Sequence, residues 1–371
     1  MDDWTQEDID RITADVAAIP QLQQELLTNA AATMKVPDRV AHQYQIAGGR
    51  VALKIAAELP ASLEGVGLFK PAAEYIGIGR ISTGMGCPHH ETAPDFLGLR
   101  LAFMTDRGRR VDFIGLNDPA APTDTPAEFM KLLAATAVAA GRGPLASIAA
   151  VGANLIRGAG PLDGAKIFAH VTKQTARTAL SSTAYQTYWT GIVEAEGTLG
   201  KCVLAPASDD NGLRGLTAGA SYLTQEWCAR QAKGPVEFHV YWVPFLDEER
   251  TPTMTLTRAW QEERHLIALA TFPALDDRNE EVVLWSVLAS EMGSNPGNWV
   301  RNRADSIPLP ETEFGLARGI AYEKSQQGRG VLLEPEYREV FSRGEIGARL
   351  AAELRRRRAA KRAAGHVDAA E

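Results

Sequence analysis

The β-strand candidates of this chain follow one another with turn signals between them, instead of alternating with helices. The clearest pair lies at 97–105 and 110–114, joined by the turn sequence Asp106-Arg107-Gly108-Arg109. Strands in this order pair in the antiparallel sense, as a sheet or a barrel, whereas alternating strands and helices indicate a parallel sheet. The predicted strands are 75–81, 97–105, 110–114, 185–194, 200–204, 236–244, 253–257 and 267–272.

Helical patterns lie at both ends of the chain and in its middle. Residues 1–35 carry apolar side chains at helical spacing, broken at Pro20, and 126–180 is rich in alanine with glycine interruptions. Two further helical stretches cover 311–328 and 335–363. Because the chain has neither an internal repeat nor a linker-like boundary, we expect one α+β unit around a large antiparallel barrel.

Composition and charge exclude several classes of protein. The net charge of -7, from 39 basic and 46 acidic residues, argues against nucleic-acid binding. The apolar segment 132–156 is the nearest to a membrane span, but it is rich in alanine and glycine and includes Arg142. Cys87, Cys202 and Cys228 lack the spacing of a disulfide framework or a metal finger, and the acidic N-terminus does not resemble a signal peptide. We therefore expect a cytoplasmic protein without a membrane span.

Several common catalytic signatures are missing from the sequence. It has no phosphate-binding loop, no clean dinucleotide fingerprint, no His-Glu-x-x-His zinc motif and no nucleophile elbow. Cys87-Pro88-His89-His90 offers three metal-competent side chains, but adjacent positions rarely converge on one ion without distant partners. We therefore do not predict a metal site there.

The most informative segment contains Arg318, Tyr322 and Arg329, which are spaced by one and two helical turns. In a helix these side chains share one face. A cation one turn before a tyrosine favours the phenolate and lowers the pKa of the phenol. A phenolate suits ferric iron, and tyrosine is a known axial ligand of haem iron. Taken alone, such spacing is more often that of a surface helix with an arginine and a tyrosine as casual neighbours.

Three earlier segments carry polar side chains that are weak signals one at a time. Pro37-Asp38-Arg39-Val40-Ala41-His42 places an arginine three residues before a histidine. Arg80-Ile81-Ser82-Thr83 lies in a strand-like context, and 112–119 reads as an apolar strand that ends in a turn with the amide of Asn117. A lone histidine is more often structural than catalytic, and Asn-Asp-Pro is ordinary turn chemistry.

Together and in this order, the four segments resemble the haem catalase family. The family pattern reads Pro-Glu-Arg-Val-Val-His, then Arg-Phe-Ser-Thr, then Asp-x-x-Gly-Asn-Asn-x-Pro, then Arg-x-x-x-Tyr with an arginine seven residues later. The matching segments are 37–42, 80–83, 112–119 and 318–329, with softer matches at 95–103 and 256–260. The resemblance runs from about residue 36 to residue 330.

The resemblance implies a catalase-like antiparallel β-barrel with surrounding helices, of the α+β class, that binds haem b. Tyr322 would be the proximal ligand of the iron, and Arg318 would stabilise its phenolate. Arg39, Arg80 and Arg329 would hold the haem propionates, since a guanidinium presents a fork of donors to a carboxylate.

On the distal side, the resemblance implies that His42 is the acid–base residue, with Asn117 as its polar partner and Ser82 as its support. A neutral imidazole can move a proton from one peroxide oxygen to the other. The implied function is that of a haem-dependent oxidoreductase with peroxide as acceptor, of the catalase or peroxidase type, served by a small-molecule reductant. A homo-oligomer is consistent with the family.

The resemblance also divides the chain into three parts. Residues 1–35 would be an N-terminal helical arm, 36–330 the catalase-like haem-binding domain, and 331–371 a C-terminal helix and basic tail. We interpret the basic residues of that tail as a solvated helix end.

Departures from the family pattern bear on the distal pocket. Ala41 stands where the family has valine, and Ala-Ala-Pro at 120–122 stands where aromatic residues are expected. Residues 43–47 and 323–327 also differ from the family pattern. Because the first two changes remove bulk, we expect a wider pocket, weaker catalase activity and a larger share of peroxidase activity toward organic hydroperoxides.

Three alternatives stay open on the sequence alone. The haem could serve a hydroperoxide-rearranging or substrate-oxidising enzyme, or it could belong to a non-catalytic carrier or sensor. The third alternative is a barrel that persists without haem. Rearrangement of a lipid hydroperoxide without an added reductant would favour the first of these.

Overall fold

A closed ring of β-strands forms the centre of the computed structural model. The structure describes residues 5–30, 39–84, 86, 89–91, 93–142, 144–176, 182–195, 198–208, 219–275, 279–298 and 312–363. The strands are β1 (Gln45–Ile55), β2 (Glu74–Thr83), β3 (Leu97–Met104), β4 (Arg110–Leu116), β5 (Tyr188–Thr190), β6 (Val193–Ala195), β7 (Thr198–Pro206), β8 (Val236–Pro244) and β9 (His265–Phe272).

Within these residues, eight of the nine strands close into a barrel. The order is β5-β4-β3-β2-β1-β9-β8-β7, and the ring closes because β5 also pairs with β7; β6 pairs with β7 beside it. Every pairing is antiparallel. The predicted α+β class and the predicted antiparallel barrel are therefore confirmed.

The helices begin where the sequence supplies capping residues. Thr5 and Asp8 form a reciprocal capping box at the first helix, and Pro20 lies in the first turn of the second, where a proline costs no hydrogen bond. The helices are α1 (Gln6–Asp15), α2 (Ile19–Asn29), α3 (Pro126–Ala139), α4 (Pro144–Ala159), α5 (Pro161–Thr175), α6 (Tyr222–Gln231), α7 (Glu280–Glu291), α8 (Glu313–Gln327), α9 (Glu334–Arg343) and α10 (Ala348–Ala363).

The largest apolar cluster draws on every strand of the ring. Along β1, buried and exposed side chains alternate from Arg50 to Ile55, as expected for a strand with one face toward the core. Phe103 and Phe113 meet edge to face with their ring centroids 6.0 Å apart. Each such side chain contributes about 1.5–3 kcal/mol through burial.

Two groups of helices pack on the outside of this barrel near the site and behind strands β2 and β3. The apolar faces of α1, α2, α3 and α8 form one cluster, which includes Leu26, Met130 and Leu316. Helices α7, α9 and α10 form another against β2 and β3. The first group matters for the site, because it brings α8 against the N-terminal helices and α3.

The structure corrects two sequence predictions. The predicted strand at 253–257 is a turn, because Glu248 accepts hydrogen bonds from Thr253, and Asp124 accepts one from the backbone N–H of Thr257 at 2.8 Å. The predicted strand at 185–194 consists instead of a short 3-10 turn and the separate strands β5 and β6. None of the helices in the described ranges combines the length and apolar character that crossing a bilayer requires.

Candidate functional site

A cavity of about 240 Å³ lies between the barrel and the helices α3 and α8. Most of its wall is apolar, with contributions from Leu99, Ile114 and Phe129. The sequence-predicted site residues that line it are Arg39, His42, Arg80, Ser82, Arg318, Tyr322 and Arg329. The fold therefore brings residues from opposite ends of the chain to one cavity.

A backbone hydrogen bond and a serine contact position His42 at the cavity wall, and Gly98 leaves space for its ring. Its φ of 58° lies in the left-handed region, and its N–H donates to the Gly84 carbonyl at 2.9 Å. The Ser82 hydroxyl lies 3.2 Å from Nδ1 of the ring. A Cβ at Gly98 would come within 2.5 Å of the same nitrogen, so only glycine leaves room for the imidazole there.

The environment keeps the imidazole of His42 neutral. Burial, followed by the positive charges of Arg80 and Arg39, lowers its pKa to about 4 against the opposing effect of Asp95. A neutral imidazole has one nitrogen able to accept a proton. His42 can therefore act as a base over the physiological pH range.

The side chains of two predicted arginines donate to main-chain carbonyls. Arg80 is buried, and its Nη2 donates to the His42 carbonyl at 2.8 Å while its Nε donates to Gln45 Oε1 at 3.2 Å. Arg39 Nη2 donates to the Ser290 carbonyl at 2.7 Å. Arg80 thus stabilises the main chain of His42, Arg39 ties its own segment to α7, and both line the cavity.

Another part of the cavity lining comes from α8, where Arg318 and Tyr322 lie one turn apart. Among the described residues, no group hydrogen-bonds to the Tyr322 hydroxyl, although the side chain is half-buried. Arg329 follows the end of the helix, and its Nε donates to the Ser325 carbonyl at 3.0 Å. A Cβ at Gly191 would lie 2.1 Å from Arg318 Nη1, so this glycine makes room for the guanidinium.

The side-chain amide of Asn117 is hydrogen-bonded to groups outside the cavity lining. Its Oδ1 accepts from the backbone N–H of Leu97 at 2.8 Å, and its Nδ2 donates to Gln186 Oε1 at 3.4 Å. It is not among the residues that line the cavity, whereas its neighbours Leu116 and Asp118 are. In this structure its amide ties the end of β4 to the start of β3.

Two buried cations on the cavity wall were not predicted. Arg100 donates to the Ala289 and Met292 carbonyls at 3.1 and 3.3 Å, and burial followed by the charge of Arg110 lowers its pKa to about 9. Lys201 is 5% exposed, with Nζ 4.6 Å from the ring centroid of Trp260.

Burial, followed by repulsion from Arg318, lowers the pKa of Lys201 to about 8. The sequence signal for both cations is a lone charge within an apolar strand, since a lysine or arginine is seldom buried without a role.

The charges around the cavity are strongly unbalanced. Its cationic lining residues are Arg39, Arg80, Arg100, Lys201, Arg318 and Arg329. Asp118 is the single carboxylate among the described residues that line it, and its Oδ1 is already bonded to Ala120 N–H and Gln174, both at 3.0 Å. Such a cavity favours an apolar ligand with negative charges, because carboxylates on the ligand would attract its cationic lining.

A haem fits this donor set. Two propionates would bring negative charge to this cationic lining, the apolar wall would contact the macrocycle, and the Tyr322 hydroxyl would be an oxygen ligand for iron. The glycines at 98 and 191 keep the space beside His42 and Arg318 clear.

In the described part of the cysteine–histidine segment, a histidine lies beside a carboxylate. His89 Nε2 lies 2.9 Å from Asp95 Oδ2, and this carboxylate raises the pKa of the histidine despite burial. Over the described residues, no three His, Cys, Asp or Glu side chains are grouped for an ion. Cys87 lies outside the described residues, and Cys202 and Cys228 form no disulfide with each other.

A closed antiparallel barrel with flanking helices and a cavity of this kind defines the catalase-like fold. Solved structures of catalases share it: a fungal catalase (TM-score 0.59, 16% identity) covers 80% of this chain and 60% of its own. Catalase A from Saccharomyces cerevisiae (0.61, 14%) covers 79% and 61%, and a bacterial catalase (0.60, 19%) covers 79% and 58%.

The chain thus spans about 60% of the length of these catalases. Neither a protein-family model nor a curated protein matches the chain. At these sequence identities the structural likeness establishes the fold alone.

Proposed function

We propose that this protein is a haem b-dependent oxidoreductase that acts on hydrogen peroxide or organic hydroperoxides. One observation carries the proposal: a neutral histidine lines the same apolar, cation-rich cavity as a tyrosine whose hydroxyl has no hydrogen-bond partner among the described residues. The catalase-like fold supports it, since the fungal, yeast and bacterial neighbours are catalases.

In this proposal the cofactor is held at both its iron and its carboxylates. Tyr322 would hold the iron through Oη, with the Arg318 guanidinium favouring the phenolate form. Arg39, Arg80 and Arg329 would hold the propionates by charge-assisted hydrogen bonds. When bound, haem supplies the redox chemistry that amino-acid side chains lack.

The proton transfer is assigned to His42. With Nδ1–H donating to the Ser82 hydroxyl, Nε2 would be the nitrogen that takes a proton from one peroxide oxygen and returns it to the other. Heterolytic cleavage of the peroxide O–O bond needs this proton transfer, because the departing oxygen must leave as water or an alcohol. Buried Arg80 holds the main chain of His42 in place for that step.

The size of the distal wall favours organic hydroperoxides as substrates. Ala41, Ala120, Ala121 and Pro122 all line the cavity, so small side chains face the space next to His42. An open, apolar wall accommodates an alkyl group, whereas dismutation of hydrogen peroxide benefits from a narrow approach. We therefore propose peroxidase turnover, with an added reductant, as the main activity.

The test is an absorption spectrum of the protein reconstituted with haemin, followed by dye oxidation with cumene hydroperoxide. We expect a Soret band with ferric-tyrosinate features, and its loss in Tyr322→Phe. Tyr241→Phe, at a half-buried tyrosine on β8, is the matched control and should retain the spectrum. Wild-type protein that binds no haem, or Tyr322→Phe with an unchanged spectrum, would contradict the proposal.

A further inference from the structure

Helices α4 and α5 form a hairpin on the outside of α3. The chain reverses at Gly160, whose φ of 87° suits glycine. Gly152 packs against the ring of Phe168, and Gly164 lies against the backbone of Leu155, so the two helices approach closely. This α4–α5 hairpin (144–175) is therefore a rigid pair of helices.

The outer face of α4 is apolar. Its exposed side chains are Ala146, Ile148, Ala149, Ala153, Ile156 and Arg157. The polar residues Ser147 and Asn154 donate to carbonyls within or just before the helix. A helix that is apolar on both its packed and its exposed sides needs a second apolar environment.

Exposed large apolar side chains occur on α4 and, after the turn, at the start of α5. Leu162 is 77% exposed, and Ile148 and Ile156 are 41% and 44% exposed. Large apolar side chains concentrated on one surface mark an interaction site, whereas isolated ones are ordinary.

Most charged side chains in and beside the hairpin are basic. Between 142 and 175 the charged residues are Arg142, Arg157, Lys166 and Lys173 against Asp163, a local balance of +3. The whole chain carries -7, so the hairpin is opposite in sign to the rest of the protein. Exposed apolar side chains on helices with a net positive charge are the pattern of helices that lie in the interface of an anionic membrane.

We propose that the α4–α5 hairpin docks on the surface of an anionic phospholipid bilayer. Ile148, Ile156 and Leu162 enter the boundary between headgroups and acyl chains, and the basic side chains of the hairpin contact lipid phosphates. A second copy of the chain fits less well, because a symmetric pair would bring the positive charges of two hairpins together.

Docking would place the membrane next to the wall of the cavity. On one side of α3, Leu132 and Ala135 pack with the hairpin residues Leu155 and Ile167. From the same helix, Phe129, Met130 and Leu133 line the cavity. The proposal concerns the hairpin surface alone and does not depend on the bound cofactor.

Vesicle co-sedimentation of the full chain tests the proposal. We expect binding to vesicles of phosphatidylglycerol and phosphatidylcholine in equal parts, weaker binding at high salt, and little binding to phosphatidylcholine alone. Ile156→Glu with Leu162→Glu should weaken binding at least about tenfold, since it removes the inserted apolar side chains.

The matched control is Met254→Glu with Leu333→Glu, which adds the same charge at residues that are 69% and 65% exposed off the hairpin. It should bind like the wild type. Three results would overturn the proposal: no binding of wild type to the anionic vesicles, equal loss in both double variants, or a wild-type dimer that Ile156→Glu/Leu162→Glu dissociates without vesicle binding. Unfolding curves of both variants exclude misfolding, because all four side chains are exposed.

Discussion

His42 combines three local features that serve a proton-transfer role. Its left-handed backbone is held by the Gly84 carbonyl, its ring has Ser82 at Nδ1, and glycine at 98 leaves it room. A non-glycine residue with positive φ carries backbone strain, and such strain persists where the surroundings enforce one geometry.

Replacing His42 with Ala should slow peroxide cleavage by about 10²-fold or more, because the proton would then move without a positioned base. Haem binding should persist, since the substitution leaves Tyr322 and the lining arginines in place. Stopped-flow mixing of the reconstituted enzyme with peroxide measures the effect. Undiminished cleavage with a normal haem spectrum would remove His42 from the proposed mechanism.

The lowered pKa of His42 predicts the acid limb of the rate profile. The neutral ring is the active base, so the rate should stay level as the pH falls from 8 to about 5 and drop near pH 4, the pKa of about 4. Arg39→Gln removes one of the charges that depress this pKa and should move the limb to higher pH, whereas Arg39→Lys should not. A wild-type limb near 6.5 would contradict the environment described.

The elements of the fold differ in how far the sequence predicts them. Strands β2, β3 and β4 are predictable because apolar runs end at clear turns, and Gly108 adopts the positive φ that the turn between β3 and β4 requires. Strand β1 is missed because Gly48-Gly49 reads as a turn within it. Helix α7 is missed because Val282, Val283 and Trp285 favour strands, and tertiary packing decides its structure.

The site shows the same division. Motif order predicted the residues that share the cavity, His42 and Tyr322 among them, because short motifs preserve their order along the chain. Lys201 and Arg100 could not be found that way, since a single cation in an apolar strand has no motif and its partner is supplied by the fold. Asn117 lies next to the cavity wall in sequence, and pairing to Leu97 orients its amide away from the lining.

At the scale of one element, the cap of α3 offers a stability test. The Thr125 hydroxyl accepts from the Glu128 N–H at 3.2 Å, and Glu128 accepts from the Thr125 N–H in return. Thr125→Ala should lower the free energy of unfolding by about 1 kcal/mol. Thr28→Ala removes a hydroxyl bonded within its own helix to Gln24 and is the control in urea unfolding. Equal effects of the two changes would exclude a capping contribution.

At the scale of the whole molecule, the sign of the charge changes between the protein and its cavity. The chain is acidic overall, while cations dominate the cavity lining. The cationic lining therefore attracts a ligand with negative charges. Binding such a ligand stabilises the folded state by mass action.

Haemin and its dimethyl ester test whether the cationic lining recognises the propionate charges. Haemin should raise the midpoint temperature of unfolding, and its dimethyl ester, which lacks the propionate charges, should bind at least about tenfold more weakly. Titration followed at the Soret band measures both affinities. Equal affinity for the acid and the ester would show that the lining arginines and lysine do not recognise carboxylates.

The ring of strands closes through β5, the shortest strand of the barrel. β5 bonds to β4 at Gly115 and Leu116 and to β7 at Val203 and Leu204, so the ring depends on Tyr188–Thr190. Fewer ladder bonds hold this seam than any long strand pair, so local opening should begin here. Trp189 and Thr190 belong to the cavity lining, and the fastest amide exchange in the ring should accordingly report on breathing of the pocket itself.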